Sequence, residues 1–171
     1  MTTSEIMAAP EHFHVKHFDV SQLHVTYGEV REIFESPLER RAINYPVGIA
    51  DVTDDEWKKY KDEILVLNRG ILESCRDRAG VYGLYTTLPN SEPQLQYVGQ
   101  TIDKTSLMRM INHLVQKHQN TGAKLAAVRK AVLNKEKIEL VFVEITPKEL
   151  REYIEHRLIK DLEPKWNRKG K

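Results

Sequence analysis

The sequence predicts an α+β protein: a small three-stranded antiparallel sheet flanked by helices, with a mainly helical N-terminal extension. Two observations predict it. Before residue 80 the clearest apolar residues recur at steps of three and four, whereas from Gly80 the period changes to two, in runs rich in β-branched and aromatic residues. Past Gly99 helical spacing returns, interrupted by one more apolar run, so the order reads strand, strand, helix, helix, strand, helix. The change of period divides the chain into an extension, 1–79, suited to bracing, dimerisation or target recognition, and a core, 80–171.

Residues 1–20 read as an irregular arm, and 27–36 as a short helix stopped by Pro37. Pro37, Pro46 and Gly48 make 37–52 a loop, with one short strand around Val47 to Val52. Thr53-Asp54-Asp55-Glu56 is a capping-box sequence, a hydroxyl followed three residues later by a glutamate. Trp57, Tyr60, Ile64, Leu67, Ile71 and Cys75 then form one apolar stripe on a helix of roughly six turns, which Gly80 closes. Val81–Thr87 is the first core strand, Pro89–Pro93 a turn, and Gln94–Gly99 the second strand of a hairpin. Leu107, Met108, Ile111, Leu114 and Val115 mark a helix that ends near Asn120-Thr121-Gly122, and a second helix covers Lys124 to Leu133. Ile138–Ile145 is apolar enough to be a central strand. Thr146-Pro147-Lys148-Glu149, a capping box with proline at the first position, starts a last helix that Pro164 stops near Leu162.

Composition bounds the function. With 171 residues, 30% charged and 40% hydrophobic, the chain is long enough for a core and is not of disordered type. Its one cysteine, Cys75, excludes an internal disulfide and a multi-cysteine zinc site and fits a reducing compartment. The opening MTTSEIMAAPEHFH has no basic-then-apolar leader, and no run is long enough to span a bilayer, so a cytoplasmic protein without a membrane partner is expected. The net charge of +1 conceals an asymmetry: residues 1–79 hold 10 Lys+Arg against 15 Asp+Glu, residues 80–171 hold 16 against 10. A basic half suits a polyanion-binding surface, although ordinary solvated surfaces produce the same balance.

Six residues carry the candidate chemistry. Arg109 and His113, four apart, share a helix face, where a guanidinium and an imidazole can hold a phosphate and move a proton. Glu155 is a lone carboxylate among Tyr153, Ile154, Leu158 and Ile159. Tyr82 and Tyr97 lie on the two hairpin strands, and Asn167 lies just past the last helix. Singly, each has a structural explanation: a solvated face, a boundary ion pair, core aromatics. Together they form an ordered pattern of Gly80-Val81-Tyr82, Tyr97-Val98-Gly99, Arg109-x3-His113, Glu155 and Asn167.

In that pattern the chain resembles the GIY-YIG nuclease superfamily over about residues 80–169. Gly80-Val81-Tyr82 and Tyr97-Val98-Gly99 match its two signatures, Arg109 and His113 its R-x3-H. Residues 155–167 match its last, a glutamate followed by Ile-Lys, then proline, an aromatic residue and asparagine. The resemblance implies phosphodiester hydrolysis with one Mg²⁺ (or Mn²⁺) per active site, bound by Glu155 and completed by water and phosphate oxygen. It further implies that Arg109 grips the phosphate, Tyr82 takes the proton of the attacking water, and His113 accepts the phenol's proton. Tyr97 would bond the phosphate or the water, and Asn167 would fix the site's geometry. No separate DNA-binding module is expected after Asn167, and one cysteine argues against the cysteine-rich structure-specific members. The chain is most similar to the Type II restriction endonucleases of the superfamily, acting as a dimer on double-stranded palindromic DNA. The alternatives are a repair, structure-specific or mobile-element nuclease, and a nucleic-acid-binding module without catalysis. Elsewhere, His12, His14, His17 and His24 suggest a zinc cluster, and Lys124, Arg129, Lys130, Lys135 and Lys137 a phosphate-binding run or a solvated face.

Overall fold

The computed structural model describes residues 20–117 and 123–167. Helix α1 (Val20–Glu35) begins seven residues earlier than its sequence pattern suggests and stops before Pro37, which opens a 3-10 turn. The strand expected around Val47–Val52 is not there. That stretch holds a 3-10 turn at Ile49–Asp51, entered through Gly48 at φ 85°, and strand β1 lies earlier, at Arg41–Ile43. Three residues are too few to show a period of two, so β1 exists only because another strand offers it an edge.

The sheet consequently has four strands, not three, all antiparallel in the order β1-β4-β2-β3, where β2 is Gly80–Thr87, β3 Gln94–Thr101 and β4 Lys137–Glu144. The apolar run of β4 takes the interior position that its composition predicts. A bulge between Leu84 and Tyr85 changes the parity of β3, so Leu95 and Val98 face one side of the sheet and Tyr97 the other.

Both faces are covered. On one, Tyr82, Leu84, Tyr97, Ile138 and Leu140 pack with Trp57, Ile64, Leu72, Met110, Leu114 and Val128. On the other, Val81, Tyr85, Val98 and Val141 pack with Tyr27, Val30 and Phe34 of α1 and with Ile154 and Leu158. The segment before residue 80 is thus built into both cores and supplies one strand.

The Trp57–Cys75 stripe is real but does not lie on one helix. It runs over α2 (Asp54–Trp57), a 3-10 turn, α3 (Lys61–Leu67) and α4 (Arg69–Ser74). The second break sits at Asn68, 2% exposed, whose amide donates to the carbonyls of Ile64 and Asn44 (both 2.8 Å) while its oxygen accepts from Asn44 N–H at 2.7 Å. Asn68 therefore ties the stripe to the segment after β1. Asn68→Ala leaves buried backbone groups without partners and is expected to lower unfolding free energy by about 2–4 kcal/mol in urea titration.

The capping box at Thr53 forms in both directions. The one at Thr146 does not: Pro147 is extended, and a 3-10 turn (Lys148–Leu150) leads into α7 (Arg151–Leu162). Proline therefore precedes the helix rather than occupying its first position. Gly80 is not a helix end either. Helix α4 has stopped by Ser74, Asp77 takes the left-handed conformation at φ 56°, and Gly80 opens β2, where a Cβ would collide with the Val143 carbonyl. Helices α5 (Ser106–Leu114) and α6 (Leu125–Leu133) follow the hairpin as predicted. Helix α5 stops at Leu114, short of the end expected near Asn120-Thr121-Gly122, because Val115 leaves the helical conformation at φ −124°. Asn120–Gly122 and the arm 1–19, with His12, His14 and His17, lie outside the described residues. Among the described residues, no helix is long and apolar enough to cross a membrane.

Candidate active site

Tyr82 stands in the middle of β2, its ring fully buried on the face that α5 covers. Its cross-strand neighbour is Gly99. A Cβ on Gly99 would lie 2.5 Å from the Tyr82 hydroxyl oxygen, 2.6 Å from Cζ and 2.9 Å from a ring carbon of Tyr97. The glycine of Tyr97-Val98-Gly99 is therefore the space that the Tyr82 phenol occupies.

Helix α5 brings Arg109 and His113 to that phenol from one face, as their four-residue spacing requires. Arg109 donates from Nε to the Tyr82 oxygen at 2.8 Å, and His113 Nε2 lies 2.7 Å from the same oxygen. The Tyr97 ring completes the cluster, its centroid 6.0 Å from that of Tyr82 and 5.2 Å from that of His113. The Lys124 ammonium lies over the Tyr97 ring at 5.4 Å.

The second nitrogen of His113 decides which way its proton points. Nδ1 accepts the backbone N–H of Lys124 at 3.0 Å. A neutral imidazole then carries its proton on Nε2 and donates it to Tyr82. The sequence suggests that His113 accepts the phenol's proton; the geometry reverses this. His113 and Arg109 both donate to one phenol oxygen.

Burial, and then the positive fields of Arg109 and Lys124, push the His113 pKa from 6.5 down to about 3, so the ring is neutral in the folded protein. The unfolded chain binds the proton that the folded one refuses. His113 therefore contributes stability that is full above pH 6.5 and is lost as pH falls towards 3, at up to about 1.4 kcal/mol per pH unit. His113→Asn is expected to flatten this acid dependence, read from urea midpoints between pH 7 and 4.5. Burial also holds Tyr82 well above the usual phenol range, with Tyr97 adding to the effect and Arg109 opposing it. The resting phenol is protonated.

Glu155 comes from the other face of the sheet. Helix α7 packs there through Ile154 and Leu158, while β3 is the edge strand between α5 and α7. Arg151, one turn before Glu155, donates to Gln100 on β3 at 2.7 Å. Arg109 and Glu155 thus approach the same sheet edge from opposite faces. Burial pushes the Glu155 carboxyl up, and the fields of His156 and Arg109 offset this in part. No described residue hydrogen-bonds its carboxylate. Asn167 does not touch the cluster. Its amide pairs with Val98 in both directions, N–H to Oδ1 and Nδ2 to carbonyl, each 2.8 Å, and Trp166 N–H donates to the Gln96 carbonyl at 2.7 Å. The C-terminal segment thereby closes part of the free edge of β3, next to Gly99.

A cleft of about 250 Å³ opens beside the cluster, lined by Thr105, Met108, Arg109, Asn112, His113 and Ala123. Glu155 does not line it. Asn112, 9% exposed with its side-chain oxygen unpartnered, is a site residue the sequence reading missed; a polar residue between Arg109 and His113 was the available sign. The other missed element is the Lys124 backbone N–H, which no side-chain pattern encodes. Among the described residues, no group of three or more His, Cys, Asp or Glu side chains converges, and His24 is exposed on α1. Comparison with protein-family models, curated proteins and solved structures gives no match.

Proposed function

We propose that this protein is a Mg²⁺-dependent DNA endonuclease of the GIY-YIG kind, acting as a Type II restriction-like enzyme on double-stranded DNA. The observation that carries this is the convergence of two N–H donors, from Arg109 and His113, on one buried phenol, with the guanidinium also within the field of Glu155. A structural core has no need of that arrangement, since an aromatic residue without a hydroxyl would fill the space under α5.

Glu155 fits a hard divalent ion: a single half-buried carboxylate, unengaged by described protein donors, near a cation that would share the phosphate. Mg²⁺ held there would supply positive charge to the phosphate and leaving oxygens, and its field would favour the Tyr82 phenolate. Arg109 binds the phosphate through the guanidinium donors that Tyr82 leaves unused. Tyr82, once its own proton has been lost to bulk water, takes the proton of the attacking water, and the Arg109 and His113 donors hold the phenolate in between. His113, fixed by Lys124 N–H, keeps its proton throughout. Asn167 holds β3 so that Tyr97 and Gly99 keep their places.

Cutting both strands with one such site per chain calls for two chains on a palindrome. The decisive experiment is digestion of a defined plasmid with Mg²⁺, methylated and unmethylated. Discrete fragments that methylation abolishes support restriction. Cleavage only of branched or damaged duplexes favours a repair, structure-specific or mobile-element enzyme, and binding without cleavage favours a non-catalytic module. A monomer by light scattering, both free and on cleavable DNA, would remove the dimer.

A further inference from the structure

We infer that a second cleft, next to the catalytic one, binds nucleic-acid phosphates through lysines of the acidic N-terminal segment. The cleft holds about 360 Å³; Lys58, Lys61, Lys117 and Arg129 supply its charge, Trp57 and Val115 part of its apolar floor, and no carboxylate lines it. Lys58 and Lys61 are three residues apart and so share a face, opposite Lys117, which follows α5, and Arg129 on α6. Among the described residues, no carboxylate lies within ion-pair distance of Lys58, Lys61 or Lys117. Charge sums over residues 1–79 hide this, because none of the segment's described acidic side chains lines the cleft.

The floor says which part of a nucleic acid enters. Trp57 is 2% exposed, its indole N–H donates to the Val115 carbonyl at 2.9 Å, and the Arg129 guanidinium covers its ring at 5.3 Å. It offers no face on which a base can stack. The cleft therefore takes backbone phosphates, sequence-independently, through its lysines. Its wall includes Val115, Gln116 and Lys117, which follow the helix that carries Arg109 and His113. The identity of the polyanion as DNA rests on the nuclease reading above; the cationic cleft does not.

The test is duplex binding by fluorescence anisotropy in EDTA, across a salt series, with cleavage assayed separately in Mg²⁺. Lys58→Ala/Lys61→Ala is expected to weaken binding about tenfold or more at 0.1 M salt and to reduce the log–log salt slope by about 1.8. Lys58→Arg/Lys61→Arg should retain the affinity. Lys148→Ala/Lys165→Ala removes the same charge outside the cleft and should leave the slope unchanged; an equal loss there would overturn the site in favour of bulk charge. A wild-type slope in the Lys58/Lys61 variant, with cleavage intact, would overturn the cleft and leave the nuclease standing. Lysine-dependent binding without any cleavage would support the cleft and sink the nuclease. Polyglutamate bound as tightly, through the same lysines, would overturn nucleic acid as its ligand.

Discussion

Glu155→Gln is expected to lose Mg²⁺-dependent cleavage by about 10³-fold, with duplex affinity in EDTA unchanged within about threefold. The substitution keeps the shape of the side chain and removes only its charge. That charge is a burden to the fold. Burial raises the carboxyl's pKa, so its ionisation opposes folding at any pH above the ordinary carboxylate range, and no described donor compensates it. The thermal midpoint at pH 7 should therefore hold or rise while cleavage disappears. A structural glutamate would behave the other way, losing stability and sparing activity. Gel assays of plasmid cleavage beside a thermal melt separate the two outcomes, and a variant that still cuts at the wild-type rate removes Glu155 as the metal ligand.

Gly99→Ala is expected to reduce cleavage by about 10²-fold or more while costing only about 1–3 kcal/mol of stability. The added methyl meets the Tyr82 hydroxyl and Cζ and the edge of Tyr97, all parts of the cluster. Tyr82 cannot retreat without stretching its 2.8 Å bond to Arg109 and its 2.7 Å approach to His113. The damage therefore falls on the alignment of one oxygen. Gly80→Ala provides the contrast: there the methyl meets the Val143 backbone carbonyl, which cannot give without breaking the β2–β4 ladder. It should lose most of its stability first, with activity following the folded fraction. Urea titrations and single-turnover cleavage of both variants test the difference, and a Gly99→Ala protein that cuts normally would mean that the Tyr82 oxygen has no part in the chemistry.

Much of this fold is legible in the sequence because it is written in local periods. The hairpin strands, the central strand and the helices α5, α6 and α7 each bury one face for several residues, and that leaves an apolar repeat. Where the order comes from a distant partner, no repeat exists to read. Strand β1 is three residues held by the edge of β4. The stripe from Trp57 to Cys75 predicts a burial face but not the break at Asn68, whose side chain bonds a segment 24 residues away.

The same division runs through the site. Spacing alone places Arg109 and His113 on one helical face, because helix pitch is local geometry, whereas the bulge between Leu84 and Tyr85 is what sets Tyr82 opposite Gly99. Only the packed chain decides the direction of the His113 proton, since a backbone N–H at Lys124 selects the tautomer and leaves no trace in residue type. Only the packed chain brings Glu155 round the edge of β3 into the field of Arg109, and gathers Lys58 and Lys61 beside Lys117 and Arg129. Residue identity and spacing determined which groups this protein has and which share an element. Which atoms face one another across elements, and how each proton and charge is held, followed from burial and long-range pairing, interactions that operate through space and not along the chain.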